Sequence, residues 1–258
     1  MNRIVLPAAV ETPWEENNQV PALVAWPDGK PRAGIVALHG YTGAKETMED
    51  IVGGLAEWGY LVVAPDLPLH GERALGPAGG FEYPFFGDPA GIVKSFENAL
   101  ADVRTCADYL RELSDGPARL GILGWSLGGC LTILSMARMA GLFETGVSVV
   151  GAAKLARLLL TSAVCTDIRD DLLAMGYDEE RLEPILRSVE ATEHSAAVRN
   201  LLMFGAEDDD IVPGALVRET FDAFPEPSNE LIMFDGCGHY PPLMTVADST
   251  LPFLARTF

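Results

Sequence analysis

Basic residues are few in this chain: 18 lysines and arginines stand against 37 aspartates and glutamates in 258 residues, which gives a formal net charge of −19. A surface this acidic repels nucleic-acid phosphates and anionic membranes, so neither is expected as a partner. Charged residues as a whole make up 21% of the chain and hydrophobic residues 48%. This balance excludes a disordered chain and indicates a globular protein with a large core.

Residues that bind metals or form disulfides are also scarce. The four cysteines (Cys106, Cys130, Cys165, Cys237) form no C-x-x-C pair, and the four histidines are scattered. We therefore expect reduced thiols and neither a metal nor an organic cofactor. The first residues carry one arginine and a short apolar stretch broken by Pro7, too weak for a secretory signal. No apolar run is long enough to span a bilayer, and we expect a cytoplasmic protein.

Short apolar runs alternate with longer amphipathic ones, which predicts an α/β fold with a mostly parallel, twisted sheet and helices on both faces. The first two strands are expected to form an antiparallel pair at the sheet edge. Predicted strands cover residues 4–6, 22–26, 34–39, 60–65, 120–123, 146–150, 200–204 and 230–234. Predicted helices cover residues 45–58, 92–113, 127–140, 213–224 and 242–256.

Two segments depart from this alternation within what we expect to be a single domain, residues 1–258. Residues 74–91 are rich in glycine, proline and aromatic side chains and are interpreted as an ordered excursion over the sheet rim. Residues 152–199 contain short helical patterns at 155–160, 168–175 and 182–189 without strand-like runs between them. We interpret this second segment as a helical cap over the active-site end of the sheet. The alternative is one crossover helix with decorations.

The sequence Gly124-Trp125-Ser126-Leu127-Gly128 joins a predicted strand to a predicted helix. A serine at such a junction needs a very tight turn, which glycines two positions before and after it allow. The turn exposes the hydroxyl at a helix N-terminus, where backbone N–H groups favour developing negative charge. The pattern G-x-S-x-G in this context predicts a nucleophile elbow with Ser126 as the nucleophile.

A serine nucleophile needs a base, and histidine is the usual one because its pKa lies near neutral pH. His239 follows the last predicted strand in a glycine-flanked loop and is the best candidate. His39 is placed to brace the Gly40 loop, and His194 lies in a polar stretch typical of a surface. His70 remains ambiguous.

The histidine in turn needs a carboxylate that orients its ring and stabilises the imidazolium. The strand at 200–204 is followed by four consecutive acids, residues 207–210. Spacing alone does not choose among Asp208, Asp209 and Asp210, since all three lie on one loop at the same end of the sheet.

Five motifs in the order expected for one fold carry a family resemblance. They are H-G-x-x-G at 39–43, D-x-P-x-H-G-x-R at 66–73, G-W-S-x-G-G at 124–129, D-x-x-V-P at 209–213 and G-x-x-H at 236–239. With the chain order serine, acid, histidine, they resemble the α/β-hydrolase fold and, more narrowly, the small esterases of the dienelactone hydrolase and prolyl-oligopeptidase-like branch.

The resemblance implies an eight-stranded sheet and a Ser126–His239–Asp209 triad, with an oxyanion hole at the backbone N–H groups of Tyr41 and Leu127. It implies a serine hydrolase that cleaves small carboxylic esters through an acyl-enzyme, without a cofactor. Ser126 stands where dienelactone hydrolases proper have cysteine, so their reaction is not implied. A thioesterase, an amidase or peptidase, an acyltransferase and a non-catalytic binding protein of the same fold remain alternatives.

Three further side chains are candidates for a substrate pocket: His70, Arg73 and Trp125. His70 and Arg73 lie after a strand, at the functional edge of an open α/β sheet. The other interpretation is structural, because hydrogen bonds and ion pairs of Asp66, His70 and Arg73 would fix the loop. Core packing is the corresponding alternative for Trp125.

Overall fold

A computed structural model describes residues 1–75, 88–113 and 116–258 of the chain. Its centre is one eight-stranded sheet with the order β1-β2-β4-β3-β5-β6-β7-β8. The strands are β1 (Asn2–Pro7), β2 (Gln19–Ala25), β3 (Gly34–Leu38), β4 (Leu61–Pro65), β5 (Leu120–Trp125), β6 (Thr145–Val149), β7 (Leu201–Ala206) and β8 (Glu230–Phe234). The predicted fold class is confirmed.

Strand direction follows the prediction as well. β1 pairs antiparallel with β2 at one edge, and β2 pairs antiparallel with β4. The remaining neighbours, from β4 through β3 to β8, are parallel. Every residue of β3, β4 and β7 is buried, as expected for central strands covered by helices on both faces.

Eight α-helices connect and cover the strands in the described part of the chain. They are α1 (Glu49–Glu57), α2 (Pro89–Glu112), α3 (Leu127–Arg138), α4 (Leu155–Thr161), α5 (Thr166–Ala174), α6 (Glu179–Leu186), α7 (Gly214–Asp222) and α8 (Leu243–Thr257). One core contains side chains of α2, α3 and α7, and a second core on the other face of the sheet contains side chains of α1 and α8. None of the helices in the described residues has the length and apolar character needed to cross a membrane.

The observed starts of two helices differ from the predicted ones, and side-chain hydrogen bonds explain both differences. The helix predicted at 45–58 begins as a 3-10 turn, Lys45–Met48, before α1. Its first residue is held by a hydrogen bond from the Lys45 N–H to the Asp66 carboxylate, 2.8 Å. α2 begins three residues before the prediction because the Asp88 carboxylate accepts a hydrogen bond from the Ala90 N–H, 3.2 Å, a helix N-cap.

The two irregular segments have different outcomes. Residues 152–199 contain α4, α5 and α6 with 3-10 turns and no strand, as the sequence predicts. Of the excursion predicted at 74–91, residues 76–87 lie outside the described residues.

Candidate active site

Ser126 lies between the end of β5 and the start of α3 on a strained turn. Its φ of 56° and ψ of −115° are unusual for a residue with a side chain, and such strain is concentrated at functional sites. The turn is held by a hydrogen bond from the Ser126 N–H to the Val149 carbonyl, 2.8 Å. A Cβ at Gly124 would lie 2.0 Å from the Gly128 carbonyl oxygen, and a Cβ at Gly128 would lie 2.2 Å from that of Leu38. Both glycines are therefore required by close backbone packing.

Ser126, His239 and Asp209 form a continuous chain of hydrogen bonds at the carboxyl ends of the strands. The Ser126 Oγ lies 2.9 Å from the His239 Nε2, and the His239 Nδ1 lies 2.8 Å from the Asp209 Oδ2. A carboxylate only accepts, so the Nδ1 carries the proton and the Nε2 is left to accept from the serine hydroxyl. All three side chains are at least nine-tenths buried. The arrangement can remove a proton from the serine.

The acid loop after β7 assigns different contacts to its aspartates. The second carboxylate oxygen of Asp209 accepts hydrogen bonds from the N–H groups of Ile211, 2.8 Å, and Val212, 2.9 Å. These bonds fix the carboxylate that contacts His239. The exposed Asp208 instead accepts from the N–H groups of Gly236 and Gly238, both at 3.1 Å. Asp208 therefore holds the loop that carries His239, and the side chain of Asp210 is exposed.

A cavity of about 70 Å³ opens beside the serine, between the sheet edge and the helices α4 and α5. Its described lining is Tyr41, Phe96, Ser126, Leu127, Cys130, Leu155, Leu158, Leu159, Ser162, Val164, Cys165, Ile168, Ile211 and Val212. None of these side chains is charged. The two predicted oxyanion-hole residues, Tyr41 and Leu127, both border the cavity, and Leu127 is the first residue of α3. The sequence predicted a cap at 152–199 but did not single out the residues of α4 and α5 that line this cavity, for which their apolar faces were the available signal.

Cys130 lines the same cavity but is poorly suited as a nucleophile. Burial raises the pKa of its thiol to about 11, although a hydrogen bond from the Ala152 N–H to its sulfur acts in the opposite direction. The thiolate is the reactive form of cysteine, so this side chain stays inert near neutral pH. All four cysteines are free thiols.

His39 and His70 lie together beneath the loop after β4. The His39 Nε2 accepts a hydrogen bond from the Leu67 N–H, 3.0 Å, and its Nδ1 lies 2.8 Å from the Gly40 carbonyl. His39 thus contacts the Gly40 loop, which it was predicted to brace, and also the loop after β4. The His70 Nδ1 lies 2.8 Å from the Pro68 carbonyl, and the two rings are 5.2 Å apart. Burial lowers the pKa of each to about 4, and for His70 the neighbouring His39 adds to the effect.

Arg73, predicted as either a substrate contact or a structural residue, is only 2% exposed and contacts protein groups. Its guanidinium pairs with the Asp102 carboxylate of α2 at 2.6 Å and donates to the backbone carbonyls of Asp66 and Asn17. Burial raises the pKa of Asp102 although the guanidinium opposes this. These contacts connect the loop after β4 to α2 and to the 3-10 turn that precedes β2, so the structure supports the structural interpretation of Arg73.

A buried lysine that sequence analysis did not single out strengthens the same loop. The Lys45 ammonium, fully buried, lies 2.9 Å from the Asp66 carboxylate and also contacts Glu46 and Glu72. Burial alone would lower the pKa of Lys45, but the hydrogen bonds to these three carboxylates outweigh it and raise the pKa. No sequence signal distinguishes this lysine from an exposed one, because two of its three partners, Asp66 and Glu72, are 21 and 27 residues away.

Trp125 does not line the serine cavity. Its side chain belongs to the core on the face covered by α1 and α8, where it borders a second and larger cavity together with Leu123. Alternate residues of a strand share a face, and this period of two was the signal that places Trp125 with Leu123. Within the described residues, no group of three or more histidine, cysteine and acidic side chains is arranged to hold a metal ion.

The chain resembles several solved structures. It aligns with an acetyl xylan esterase from Paenibacillus sp. R4 at 18% identity and a TM-score of 0.73, covering 92% of this chain and 79% of the other. It aligns with TT1662 from Thermus thermophilus at 26% identity and a TM-score of 0.68, covering 93% of both chains. The first likeness, at its low identity, shows a shared fold.

Sequence comparison leads to the family. The chain is 27% identical over 195 residues to the Bacillus subtilis (strain 168) protein named "Putative esterase YitV", covering 73% of this chain and 72% of that protein. The profile of the family described as serine aminopeptidase, S33, matches residues 29–166. This match covers β3 to β6 and includes Ser126. Because it spans more than half of the sequence, the chain belongs to the serine aminopeptidase, S33, family of α/β-hydrolases.

Proposed function

We propose that this protein is a serine hydrolase that cleaves small carboxylic esters. The observation that carries the proposal is the buried hydrogen-bonded chain from the Ser126 Oγ through His239 to Asp209, with distances of 2.9 Å and 2.8 Å. Two of the similar proteins are named as esterases, which agrees with this chemistry. One is the acetyl xylan esterase, and the other is the Bacillus subtilis protein named "Putative esterase YitV".

In the proposed reaction, the Ser126 Oγ attacks the ester carbonyl carbon while the His239 Nε2 takes the hydroxyl proton. Collapse of the tetrahedral intermediate breaks the bond to the alcohol oxygen, which receives the proton from His239. Water then attacks the acyl-enzyme with His239 again as the base. The bond between the acyl carbon and the Ser126 Oγ breaks, the Oγ receives the proton from His239, and the acid is released. Asp209 keeps the Nδ1 protonated and stabilises the imidazolium that forms in each half of the reaction.

The developing oxyanion needs hydrogen-bond donors fixed before the reaction begins. The backbone N–H groups of Tyr41 and Leu127 are the proposed donors, since both residues border the cavity at Ser126. Leu127 begins α3, and the first N–H groups of a helix have no acceptor within it. One such donor contributes about 10²–10³-fold in rate.

The cavity lining supports an apolar acyl group. Side chains of α4 and α5, including Leu155, Leu158 and Ile168, face the serine across about 70 Å³. We place the acyl chain of the substrate against these side chains, which makes the segment 152–199 a cap over the site within a single domain. His70, which borders the adjoining space with Phe96 and Leu127, lies close enough to this region to shape the pocket.

An aminopeptidase or amidase activity is the second candidate, favoured by the description of the family. Recognition of a free α-amino group requires an acceptor or a carboxylate near the serine, as charge pairing stabilises a buried ammonium. The described lining offers no charged side chain. This favours esters of small apolar acids over peptides with a free amino terminus.

The test compares wild-type protein with Ser126→Ala on p-nitrophenyl acetate, p-nitrophenyl butyrate and leucine p-nitroanilide. We expect ester hydrolysis that is lost in the variant by at least about 10³-fold, because no nucleophile remains. A fluorophosphonate probe should label the wild-type protein at Ser126 and leave the variant unlabelled. Circular dichroism checks that the variant is folded.

Two outcomes would contradict the proposal. Undiminished ester hydrolysis by Ser126→Ala would remove the serine from the mechanism. A wild-type protein that neither labels nor hydrolyses any of the three substrates would indicate a non-catalytic binding protein. Faster cleavage of the anilide than of the esters would favour the aminopeptidase.

A further inference from the structure

A second cavity, larger than the one beside Ser126, lies on the other face of the sheet, away from the serine. Its volume is about 530 Å³, against about 70 Å³ beside Ser126. β5 and β6 contribute Leu123, Trp125 and Val149 to it, and α1 and α8 contribute its sides. Cavities of roughly 300–1,000 Å³ with mostly apolar walls are typical of small-molecule sites. The reaction proposed at Ser126 makes no use of this space.

Thr250, which borders this cavity, carries a buried hydroxyl that is unsatisfied. The hydroxyl of Thr250 on α8 is buried, with the residue 4% exposed, and has no hydrogen-bond partner among the described residues. A threonine in a helix commonly donates to the carbonyl four residues earlier, here Val246, but this bond is not formed. Buried hydroxyls normally have partners, and a rotation of this side chain would let the Thr250 hydroxyl donate to a polar group in the cavity.

Charge at the cavity has a single sign. Three carboxylates border it, Asp50 and Glu57 on α1 and Asp248 on α8, and none of the described lining residues is basic. None of the three forms an ion pair within residues 1–75, 88–113 and 116–258. A cation would be attracted to this rim and an anion repelled.

We propose that the cavity between α1 and α8 binds a small amphipathic organic cation. Its apolar body packs against Trp125 and the aliphatic walls, and its ammonium group lies at the acidic rim. An acceptor atom within it accepts a hydrogen bond from the Thr250 hydroxyl. The site is separate from Ser126 and binds its ligand without a chemical step.

The test uses three probes that share one apolar body with an ether oxygen: 4-phenoxybutylamine, 4-phenoxybutan-1-ol and 4-phenoxybutyrate. Binding is measured by calorimetry and by tryptophan fluorescence, since Trp58 and Trp125 border the cavity. The amine should bind at least about tenfold more tightly than the alcohol, and the carboxylate should bind most weakly. Thr250→Val should weaken amine binding roughly three- to tenfold by removing one hydrogen bond.

Two neighbouring glycines of α1 provide a matched pair of blocking and control variants. Gly54 borders the cavity and Gly53 does not, and a Cβ at either position meets no atom within 4 Å. Leucine is a better helix former than glycine, so both Gly54→Leu and Gly53→Leu should fold. Gly54→Leu should abolish amine binding by filling the cavity, whereas Gly53→Leu should retain it. Ser126→Ala should also retain it, which separates this site from the proposed ester site.

Several results would overturn the proposal. Equal affinity for the three probes would exclude recognition of charge, and unchanged binding to Gly54→Leu would place the ligand elsewhere. Loss of binding in Ser126→Ala would place it in the serine cavity. If the protein alone is a dimer that Gly54→Leu converts to a monomer, the cavity is occupied by a second copy of the chain and not by a small cation.

Discussion

Asp208 and Asp209 are neighbours in the sequence, but they differ in burial and in the groups that they contact. Asp209 is 5% exposed and contacts the His239 ring, whereas Asp208 is exposed and accepts from two backbone N–H groups of the histidine loop. A buried carboxylate with three hydrogen bonds keeps a fixed direction. An exposed one stabilises the backbone near it and exchanges its contacts with water.

At the residue scale, we expect Asp209→Asn to lower kcat for p-nitrophenyl acetate by about 10⁴-fold. An amide can present its N–H₂ to the Nδ1, which favours the wrong tautomer of His239. Asp208→Asn is the matched variant one residue away, and it should lower kcat by less than about tenfold because only the loop is loosened. The measurement is kcat for both variants at saturating ester.

The opposite ranking would transfer the acid role to Asp208. Equal, small effects of the two substitutions would mean that His239 acts without a fixed carboxylate. Each variant is checked for its thermal unfolding midpoint, so that a loss of folded protein is not read as a loss of catalysis.

The buried imidazole of His70 leads to a prediction about stability and pH. Its folded-state pKa of about 4 lies below the ordinary value of 6.5, so the unfolded chain binds the proton more readily. The free energy of unfolding that the neutral His70 ring contributes is fully present above pH 6.5 and is lost as the pH falls towards 4. We expect this one group to lower the free energy of unfolding by about 2 kcal/mol between pH 7 and pH 4.5.

The free energy of unfolding of wild-type protein and of His70→Asn, measured by urea unfolding at pH 7 and pH 4.5, checks this prediction. The asparagine amide can replace the Nδ1 as donor to the Pro68 carbonyl, and it does not titrate in this range. The variant should lose less stability than wild-type protein as the pH falls, whatever its stability at pH 7. Parallel losses in the two proteins would show that His70 is not the group that takes up the proton.

At the scale of elements, α5 presents different sides to the site and to solvent. Ile168 is 8% exposed and lines the serine cavity, whereas Leu173, on the same helix, is 52% exposed. Because an α-helix has 3.6 residues per turn, Ile168 and Leu173, five positions apart, lie on different sides of α5. The chain length accepted by the site is therefore expected to depend on Ile168 and not on Leu173.

We expect Ile168→Ala to raise the ratio of kcat/KM for p-nitrophenyl octanoate to that for p-nitrophenyl acetate at least about fivefold. The shorter side chain enlarges the cavity, and one to two methylene groups in a pocket correspond to about 1–3 kcal/mol. Leu173→Ala, the control on the same helix, should leave the ratio unchanged. An equal ratio in wild-type protein and both variants would place the acyl chain away from α5.

At the scale of the whole molecule, the dominant property is the net charge of −19. Repulsion among the acids opposes the compact state. Most of the ion pairs of the described residues are exposed, such as Arg104–Asp108 and Arg119–Glu144, and exposed pairs contribute little. Screening by salt should therefore stabilise the protein more than it weakens these pairs.

We expect the thermal unfolding midpoint at pH 8 to rise by a few degrees when NaCl increases from about 10 mM to about 150 mM, as the Debye length falls from about 30 Å to about 8 Å. The control is the same salt series at pH 5, closer to the pI of 4.4, where the rise should be smaller. A midpoint that falls with salt at pH 8 would mean that attractive ion pairs outweigh the repulsion.

Sequence patterns determined the architecture and predicted the candidate nucleophile, because both depend on neighbours along the chain. Alternating apolar runs predicted the mostly parallel sheet, and two glycines around Ser126 predicted the tight turn. His239 was placed by its position after the last strand, and family resemblance placed Asp209. Their predicted catalytic roles await the experiments above.

Tertiary structure decided which side chains face one another across long stretches of chain. Arg73 meets Asp102, 29 residues away, and Trp125 packs on the face opposite the serine cavity. The direction of a side chain and the depth of its burial depend on what the rest of the fold places against it. Local spacing does not identify those partners. For this reason the sequence predicted a cap at 152–199 but not which residues of α4 and α5 line the cavity, nor that Lys45 is buried.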